Sequence, residues 1–174
     1  MFVSQTVMGY LERAGVDFEL VAHRHSSSSM QTARAAHIEP WQLAKGVLME
    51  DEDEYWLAVV PATHRVNRWA LESLIDTERL VLAHEEEMPA VFRDCERGAL
   101  PAIGPAFGVR TALDDALLET DEVYFEAGDH EHLVHVTRQQ FRQLMAGQPH
   151  GLISYAPRSR ARSRSSTRTR SVAR

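Results

Sequence analysis

The sequence predicts an α/β fold: a single compact domain with a mixed, largely antiparallel sheet and helices at its periphery. Three observations carry this. Short alternating apolar runs are separated by tight turns, without the steady rhythm of βαβ units. Helix-opening signals recur between them. The 174 residues, 44 % of them apolar, suit one domain, because a chain near 150 residues buries roughly two-thirds of its unfolded surface.

The elements follow in order. Ser4 caps a helix to Ala14 that places Val7, Met8 and Leu11 on one face and stops at Gly15. Asp17–Val21 alternates as a strand. Ser28 and Gln31 form a capping box before a helix over Met30–Ala36, and Pro40 opens a short helical turn to Leu43. Strands are expected at Lys45–Met49 and Tyr55–Val60, joined by the acidic turn Glu50–Glu54 and ended by Pro61. A helix over Arg68–Ile75, a strand at Arg79–Leu82 and a helix over Glu85–Phe92 come next. Gly98–Gly108 holds too many breakers for a regular element and reads as a shaped loop. Ala112–Leu113, Val123–Glu126 and His132–Val136 read as strands, the last two joined at Gly128-Asp129. Thr137 and Gln140 make a second capping box opening a helix to Met145.

Charge divides the chain. It carries 19 Lys+Arg against 25 Asp+Glu, for a net −6. Seven arginines fall in Pro157–Arg174, so the rest has 12 basic residues against 25 acidic, or −13, and the tail +7. We therefore divide the chain into a domain over 1–147 and an Arg/Ser-rich basic tail over 148–174, whose composition predicts disorder. Either the tail is a cationic contact surface or it is a low-complexity terminus without a role. The single cysteine, Cys95, excludes an internal disulfide framework and fits a reducing compartment. With no signal peptide and no apolar run near ~18 residues, the expected location is the cytoplasm, away from membranes.

Three constellations offer chemistry. Lys45 is the only lysine among nineteen basic residues and stands where a helix gives way to an apolar strand. A compact ammonium there can reach a phosphate or carbonyl oxygen; an arginine-rich composition with one surviving lysine accounts for it equally well. The small residues of Gly98–Gly104 let a substrate approach backbone N–H groups that can hold an oxyanion, or they form a plain surface turn. The segment Gly128–His135 is rich in His and carboxylates, but His130 and His132 would share one strand face with His135 on the other. That favours a pocket-lining turn histidine over a metal site, although a metal hydrolase using His130 and His132 is a third reading. No P-loop, GxGxxG or G-x-S-x-G motif occurs, so an enzyme here would work by positioning and backbone electrostatics.

Taken in order, the motifs resemble those of the YbaK/ProRS-associated editing domains, bacterial aminoacyl-tRNA deacylases. His23 with Ser28 resembles the family's H-x4-T/S element. Leu43-Ala44-Lys45-Gly46-Val47-Leu48 resembles L-A-K-T-V-L, with Gly46 in place of Thr, and Leu57–Ala62 resembles the following "lavlPA" strand. Ala83–Met88 and Phe92–Cys95 match the next helix. Gly98–Gly104 resembles G-A-x-P-P-x-G, with Ala102 in place of the second proline, and Leu113-Asp114 and Phe125–His130 complete the series. The resemblance covers about Ser4–Met145.

It implies a partly barrel-like sheet and hydrolysis of the ester joining a wrong amino acid to tRNA, most readily a small amino acid on a tRNA for proline. It makes Lys45, Gly98 and Ala99 catalytic: Lys45 binds the terminal phosphate or the ester carbonyl, and the loop positions the ester. His23, Ser28, Pro101, Gly104, Asp114, Gly128 and His130 become substrate-binding, the last three of the set lining the amino-acid pocket. In one family mechanism the substrate's ribose hydroxyl assists water attack. No cofactor or metal is implied. The partners are the acceptor end of aminoacyl-tRNA and an aminoacyl-tRNA synthetase. The rival class is a non-catalytic module of the same fold that binds aminoacyl-adenosine, tRNA or a protein.

Overall fold

A computed structural model describes residues 2–52 and 54–157. Helix α1 (Gln5–Ala14) starts because the Ser4 hydroxyl accepts the Val7 N–H at 3.1 Å, and it ends at Gly15, which takes the left-handed conformation with φ 62°. Strand β1 (Glu19–Ala22) follows, then α2 (Ser29–Ala35). Ser28 caps α2 as expected, but the Gln31 side chain accepts from the Ser27 N–H at 3.3 Å, one residue before the cap.

A single 3₁₀ turn, Pro40–Gln42, feeds strand β2 (Ala44–Asp51). This pairs antiparallel with β3 (Glu54–Pro61) along its whole length, from Ala44 opposite Pro61 to Asp51 opposite Glu54. Then come β4 (Arg65–Val66), α3 (Arg68–Ile75) and β5 (Val81–Leu82). The helix expected over Glu85–Phe92 is confined to α4 (Met88–Val91). Glu87 explains this: one carboxylate oxygen accepts the His84 N–H at 2.6 Å and the other the Tyr55 hydroxyl at 3.0 Å, which folds 84–87 into a turn.

The Gly98–Gly108 stretch is irregular apart from a 3₁₀ turn at Gly104–Phe107. After it run β6 (Arg110–Asp114), α5 (Asp115–Leu118), β7 (Glu122–Glu126), β8 (His132–Thr137) and α6 (Arg138–Leu144). Helix α6 opens with the expected reciprocal Thr137–Gln140 box.

With β9 (His150–Gly151), the strands form a five-stranded sheet in the order β5-β2-β3-β6-β9, a three-stranded antiparallel sheet β1-β8-β7, and a two-stranded ribbon. In the large sheet β5, β2 and β3 are antiparallel, whereas β3, β6 and β9 are parallel. The mixed, largely antiparallel α/β architecture is as the sequence predicts. The partly barrel-like closure implied by the resemblance is not found: among the described residues the sheets remain separate, joined by one bridge between Leu43 and Tyr124.

Alternation along β2 and β3 gives the large sheet two apolar faces. Ala44, Leu48, Leu57 and Val59 pack with Val7, Leu11, Phe125 and Phe141; Met49, Ala58 and Val60 pack with Leu71, Leu80 and Ile153. Burial of each larger side chain contributes about 1.5–3 kcal/mol.

The domain does not stop at residue 147. Strand β9 (His150–Gly151) adds to β6, and β10 (Ser154–Tyr155) pairs with β4. Ile153, 1 % exposed, plugs the second core. The boundary drawn from composition is therefore too early, because Gly147, Gln148 and Pro149 break a helix without ending the domain. The arginine-rich part of the expected disordered tail, residues 158–174, lies outside the described residues.

Candidate functional site

A cavity of about 390 Å³ opens where the start of α2, the first residues of β2 and the end of β3 meet the Gly98 loop and the β7–β8 turn. Of the sequence-predicted site residues it brings together Ser28, Lys45, Gly98 and His130.

Lys45 lies near the start of β2, paired with Val60. Its ammonium donates to the His64 carbonyl at 2.5 Å and the Ala62 carbonyl at 3.5 Å, both just past the end of β3. Half-burial lowers its affinity for the proton, and the nearby Arg65 charge lowers it further. Two of its three N–H donors face carbonyls, which leaves one for a ligand.

His130 occupies the β7–β8 turn with φ 60°. A ring nitrogen lies 2.8 Å from the Arg97 carbonyl, and a carbonyl can only accept, so Nε2 carries the proton. The ring also packs at 5.2 Å from that of His25. Gly98 faces it with φ 89°, and a Cβ there would stand 3.4 Å from the imidazole Cε1.

Glu126, at the end of β7, is the residue that sequence reasoning missed. Burial pushes its carboxyl up to about 7 against the opposing hydrogen bond from Thr32. One oxygen meets the Thr32 hydroxyl at 3.1 Å; the other is buried without a partner. Thr32 in turn lies 2.8 Å from the Ser26 hydroxyl, so a short polar chain runs beside the start of α2, with Thr32 and Glu126 lining the cavity. The sequence signal for Glu126 was its place in the Phe125–His130 element of the resemblance, directly before the turn Ala127-Gly128-Asp129, which did not single it out as a site residue.

The other predicted residues do not line this cavity. Ala99 is fully buried, and its N–H donates to the Glu96 carbonyl at 3.0 Å, so it is not available to an oxyanion. Pro101 and Gly104 are buried. Gly104 presses against β6, where a Cβ would lie 2.0 Å from the Thr111 Oγ1. Gly128, with φ 104°, faces Cys95 and Ser4 at 2.9 and 3.0 Å from a would-be Cβ.

His23 turns its Nδ1 to the Arg24 carbonyl at 2.9 Å, while its Nε2 is buried without a partner. Asp114 is buried and structural: one oxygen accepts the Ala116 N–H at 2.9 Å, capping α5, and the other accepts the Ser154 hydroxyl at 2.7 Å. That hydroxyl lies 2.8 Å from His64 Nδ1, so Asp114 reaches Lys45 indirectly, through Ser154 and His64.

The expected His130/His132 strand face is absent. Asp129 accepts the Glu131 and His132 N–H groups at 3.1 and 2.9 Å and contacts His132 Nδ1 at 2.7 Å, a turn that separates the two rings. Burial would raise the Asp129 carboxyl, but these donors outweigh it and hold it below its usual range. Among the described residues no three His, Cys, Asp or Glu side chains are grouped to hold a metal ion. Cys95 is pushed up to about 12 by burial, which leaves it a poor nucleophile. A larger cavity of about 560 Å³, beside Tyr55 and Phe107, holds none of the predicted site residues, and Arg110 within it is ion-paired to Glu54 at 3.0 Å. No helix among the described residues is long and apolar enough to cross a membrane.

These features can be set against known proteins. No curated protein matches the chain. Among solved structures it is similar to a proposed trans-editing enzyme for prolyl-tRNA synthetase, with TM-score 0.75 at 23 % identity, covering 88 % of this chain and 99 % of that one. The hypothetical protein APE2540 is similar at TM-score 0.76 and 17 % identity, with 87 % and 100 % covered. A signal-transduction protein of Marinobacter aquaeolei VT8, so named provisionally, is similar at TM-score 0.71 and 18 % identity, covering 88 % of this chain and 31 % of that one. At these identities the likeness establishes the fold. A family model describing the aminoacyl-tRNA editing domain matches residues 23–144, which spans Lys45, the Gly98 loop, Glu126 and His130. The chain belongs to the family of aminoacyl-tRNA editing domains.

Proposed function

We propose that this protein is a deacylase that hydrolyses the ester between a wrong amino acid and the 3′ end of a tRNA, most readily a small amino acid on a tRNA for proline. The observation that carries this reading is the half-buried Lys45 ammonium, with one uncommitted donor, in a cavity that also holds Gly98 and His130. Water adds to the ester carbonyl, negative charge develops on its oxygen, and the ribose oxygen leaves with a proton as the free amino acid departs. On this reading Lys45 and the Gly98 backbone N–H stabilise that charge.

Absence of an activated side-chain nucleophile at the cavity fits attack by water. Ser28 is used as a cap, and Ser27 donates to Gln31 at 3.1 Å. On this reading the ribose hydroxyl next to the ester assists the attacking water. A synthetase, and phosphate contacts from the arginine tail, are the partners this reading carries.

The test is Lys45→Ala with a mischarged tRNA for proline bearing Ala, Cys or Ser. Deacylation should fall at least ~10²-fold, the cost typical of losing one charge-stabilising donor, while circular dichroism stays unchanged. Undiminished turnover sinks the proposal. One observation favours the non-catalytic alternative: the Ala99 N–H is already committed to Glu96, which thins the oxyanion donors of the loop. Retention of aminoacyl-tRNA without any turnover by the wild-type protein would decide for it.

A further inference from the structure

The carbonyl that holds Lys45 belongs to His64, and the next residue, Arg65, opens β4. In the β4–β10 ribbon Arg65 lies directly opposite Tyr155. Directly opposed residues of an antiparallel pair project from the same face, with Cβ atoms about 4.5–5.5 Å apart. The neighbouring pair, Val66 and Ser154, takes the other face, where Ser154 bonds Asp114 and His64.

The Arg65–Tyr155 face is open to solvent: Arg65 is exposed and Tyr155 is 50 % exposed. Arg65 is also close enough to Lys45 for its charge to act on the ammonium. The ribbon continues through a bond from the Asn67 N–H to the Ile153 carbonyl. Just beyond, Trp69 is 73 % exposed, with the Arg68 guanidinium 5.1 Å from its ring.

A large exposed aromatic beside an arginine, repeated twice at one edge, is unusual on a body that is otherwise strongly acidic. After Tyr155 the sequence runs into the seven arginines of Pro157–Arg174. The family match stops at residue 144, so β10 belongs to the part of the chain it does not reach.

We propose that the Arg65–Tyr155 ribbon is a binding subsite for the single-stranded 3′ end of an RNA, with Arg65 on a phosphate and Tyr155 stacked on a base. Trp69 takes a further base along the same strand. Aromatic faces accept any base, and paired arginines neutralise phosphates, so the chemistry fits a single strand better than a duplex. Arg68 is already paired with Glu72 at 3.6 Å, but an apolar protein partner would leave Arg65 and the following run of arginines unmatched. The inference rests on the deacylase reading only in taking the strand to be an acceptor end whose terminal residue reaches Lys45.

The test uses the full chain and two fluorescein-labelled RNA hairpins, one ending in a single-stranded 3′-CCA and one blunt, with binding followed by anisotropy across a salt series. Wild type should prefer the CCA hairpin. Tyr155→Ala should weaken that complex about tenfold, at the lower end of base-stacking losses, while Tyr155→Phe stays within twofold. Arg65→Gln should weaken it and reduce the salt slope by about one.

The blunt hairpin, which reports tail-driven binding, should be unaffected by the Tyr155 variants. Equal affinity of wild type for the two hairpins, or CCA affinity within twofold of wild type for both Tyr155→Ala and Arg65→Gln, overturns the inference. So does a dimer that Tyr155→Ala dissociates. The binding readout separates this proposal from the deacylase reading: the expected pattern without hydrolysis refutes the activity and leaves the subsite, and hydrolysis without the pattern does the reverse.

Discussion

Replacing Glu126 by glutamine isolates the most perturbed carboxyl at the cavity. Burial raises this group from 4.5 to about 7, so between those values the folded protein holds a proton that the unfolded chain has released. The sign follows: its contribution to stability is greatest below pH 4.5 and is lost as pH rises through about 7. A rise of that size corresponds to roughly 3 kcal/mol. The hydrogen-bond chain shows where the proton goes. Thr32 has one hydroxyl proton; with the Ser26 hydroxyl at 2.8 Å donating to Thr32, two acceptors remain for it, the Ser28 carbonyl at 3.1 Å and Glu126 at 3.1 Å. A neutral Glu126 can donate to Thr32 and free the threonine proton for Ser28; a charged one competes for it. Glutamine, with an N–H donor of its own, keeps the neutral pattern at every pH. We expect the stability of Glu126→Gln relative to wild type to rise by roughly 3 kcal/mol between pH 4.5 and 8, or about 6–12 °C in Tm for a domain of this size. Urea denaturation at both pH values measures it. Asp94 and Asp129, both held below their usual range, make each protein lose stability in acid, but equally, so the difference cancels them. Parallel pH profiles for the two proteins would refute the reasoning.

Two further substitutions test how the cavity is held. Gly98→Ala forces an alanine to φ 89° and brings its Cβ to 3.4 Å from the His130 ring. It should cost about 1–2 kcal/mol in chemical denaturation and lower deacylation, and an alanine variant as stable and active as wild type would show that neither the backbone nor the ring matters there. Asp114→Asn removes the charge that accepts from both the Ala116 N–H and the Ser154 hydroxyl. Stability should fall by about 1–2 kcal/mol, with a lower kcat at unchanged KM because His64 no longer presents its carbonyl to Lys45 in one position. A kinetic profile identical to wild type would confine Asp114 to capping α5.

Local signals carried most of the fold. Ser4, Ser28 and Thr137 cap the helices they were expected to cap, because a side-chain oxygen two or three residues ahead of free N–H groups is a short-range arrangement that sequence displays. The β2–β3 hairpin was legible for the same reason. What stayed hidden depends on partners distant in the chain. The turn at 84–87 replaces helix because Tyr55, about thirty residues earlier, takes the Glu87 carboxylate. The domain was cut short at 147 because Ile153 belongs in the core only once Met49, Ala58 and Leu71 are arranged around it. Among the site residues, Lys45, Gly98, Ser28 and His130 share the cavity. Asp114, Gly104 and Gly128 lie outside it in packing and capping positions, which motif resemblance cannot separate from contact with a ligand. Glu126 shows the opposite failure, since its burial follows from β7 pairing with β8 and from α2 lying over the strand end.

The lone lysine has a physical reason that composition could not supply. Its ammonium sits between two backbone carbonyls, at 2.5 and 3.5 Å, at the half-buried start of a strand. A guanidinium in its place would bring five N–H donors in a rigid plane to a site that offers two acceptors, leaving the rest desolvated or forcing the carbonyls apart. A compact ammonium satisfies both carbonyls and keeps one donor for a ligand, with its charge concentrated at a single atom. Arg65, by contrast, stands exposed on β4, where a guanidinium keeps its donors hydrated. The consecutive residues His64 and Arg65 therefore divide two tasks: the first fixes the lysine through its carbonyl, and the second turns outward with a cation of its own. The retention of lysine at position 45 then follows from the two carbonyls it must satisfy.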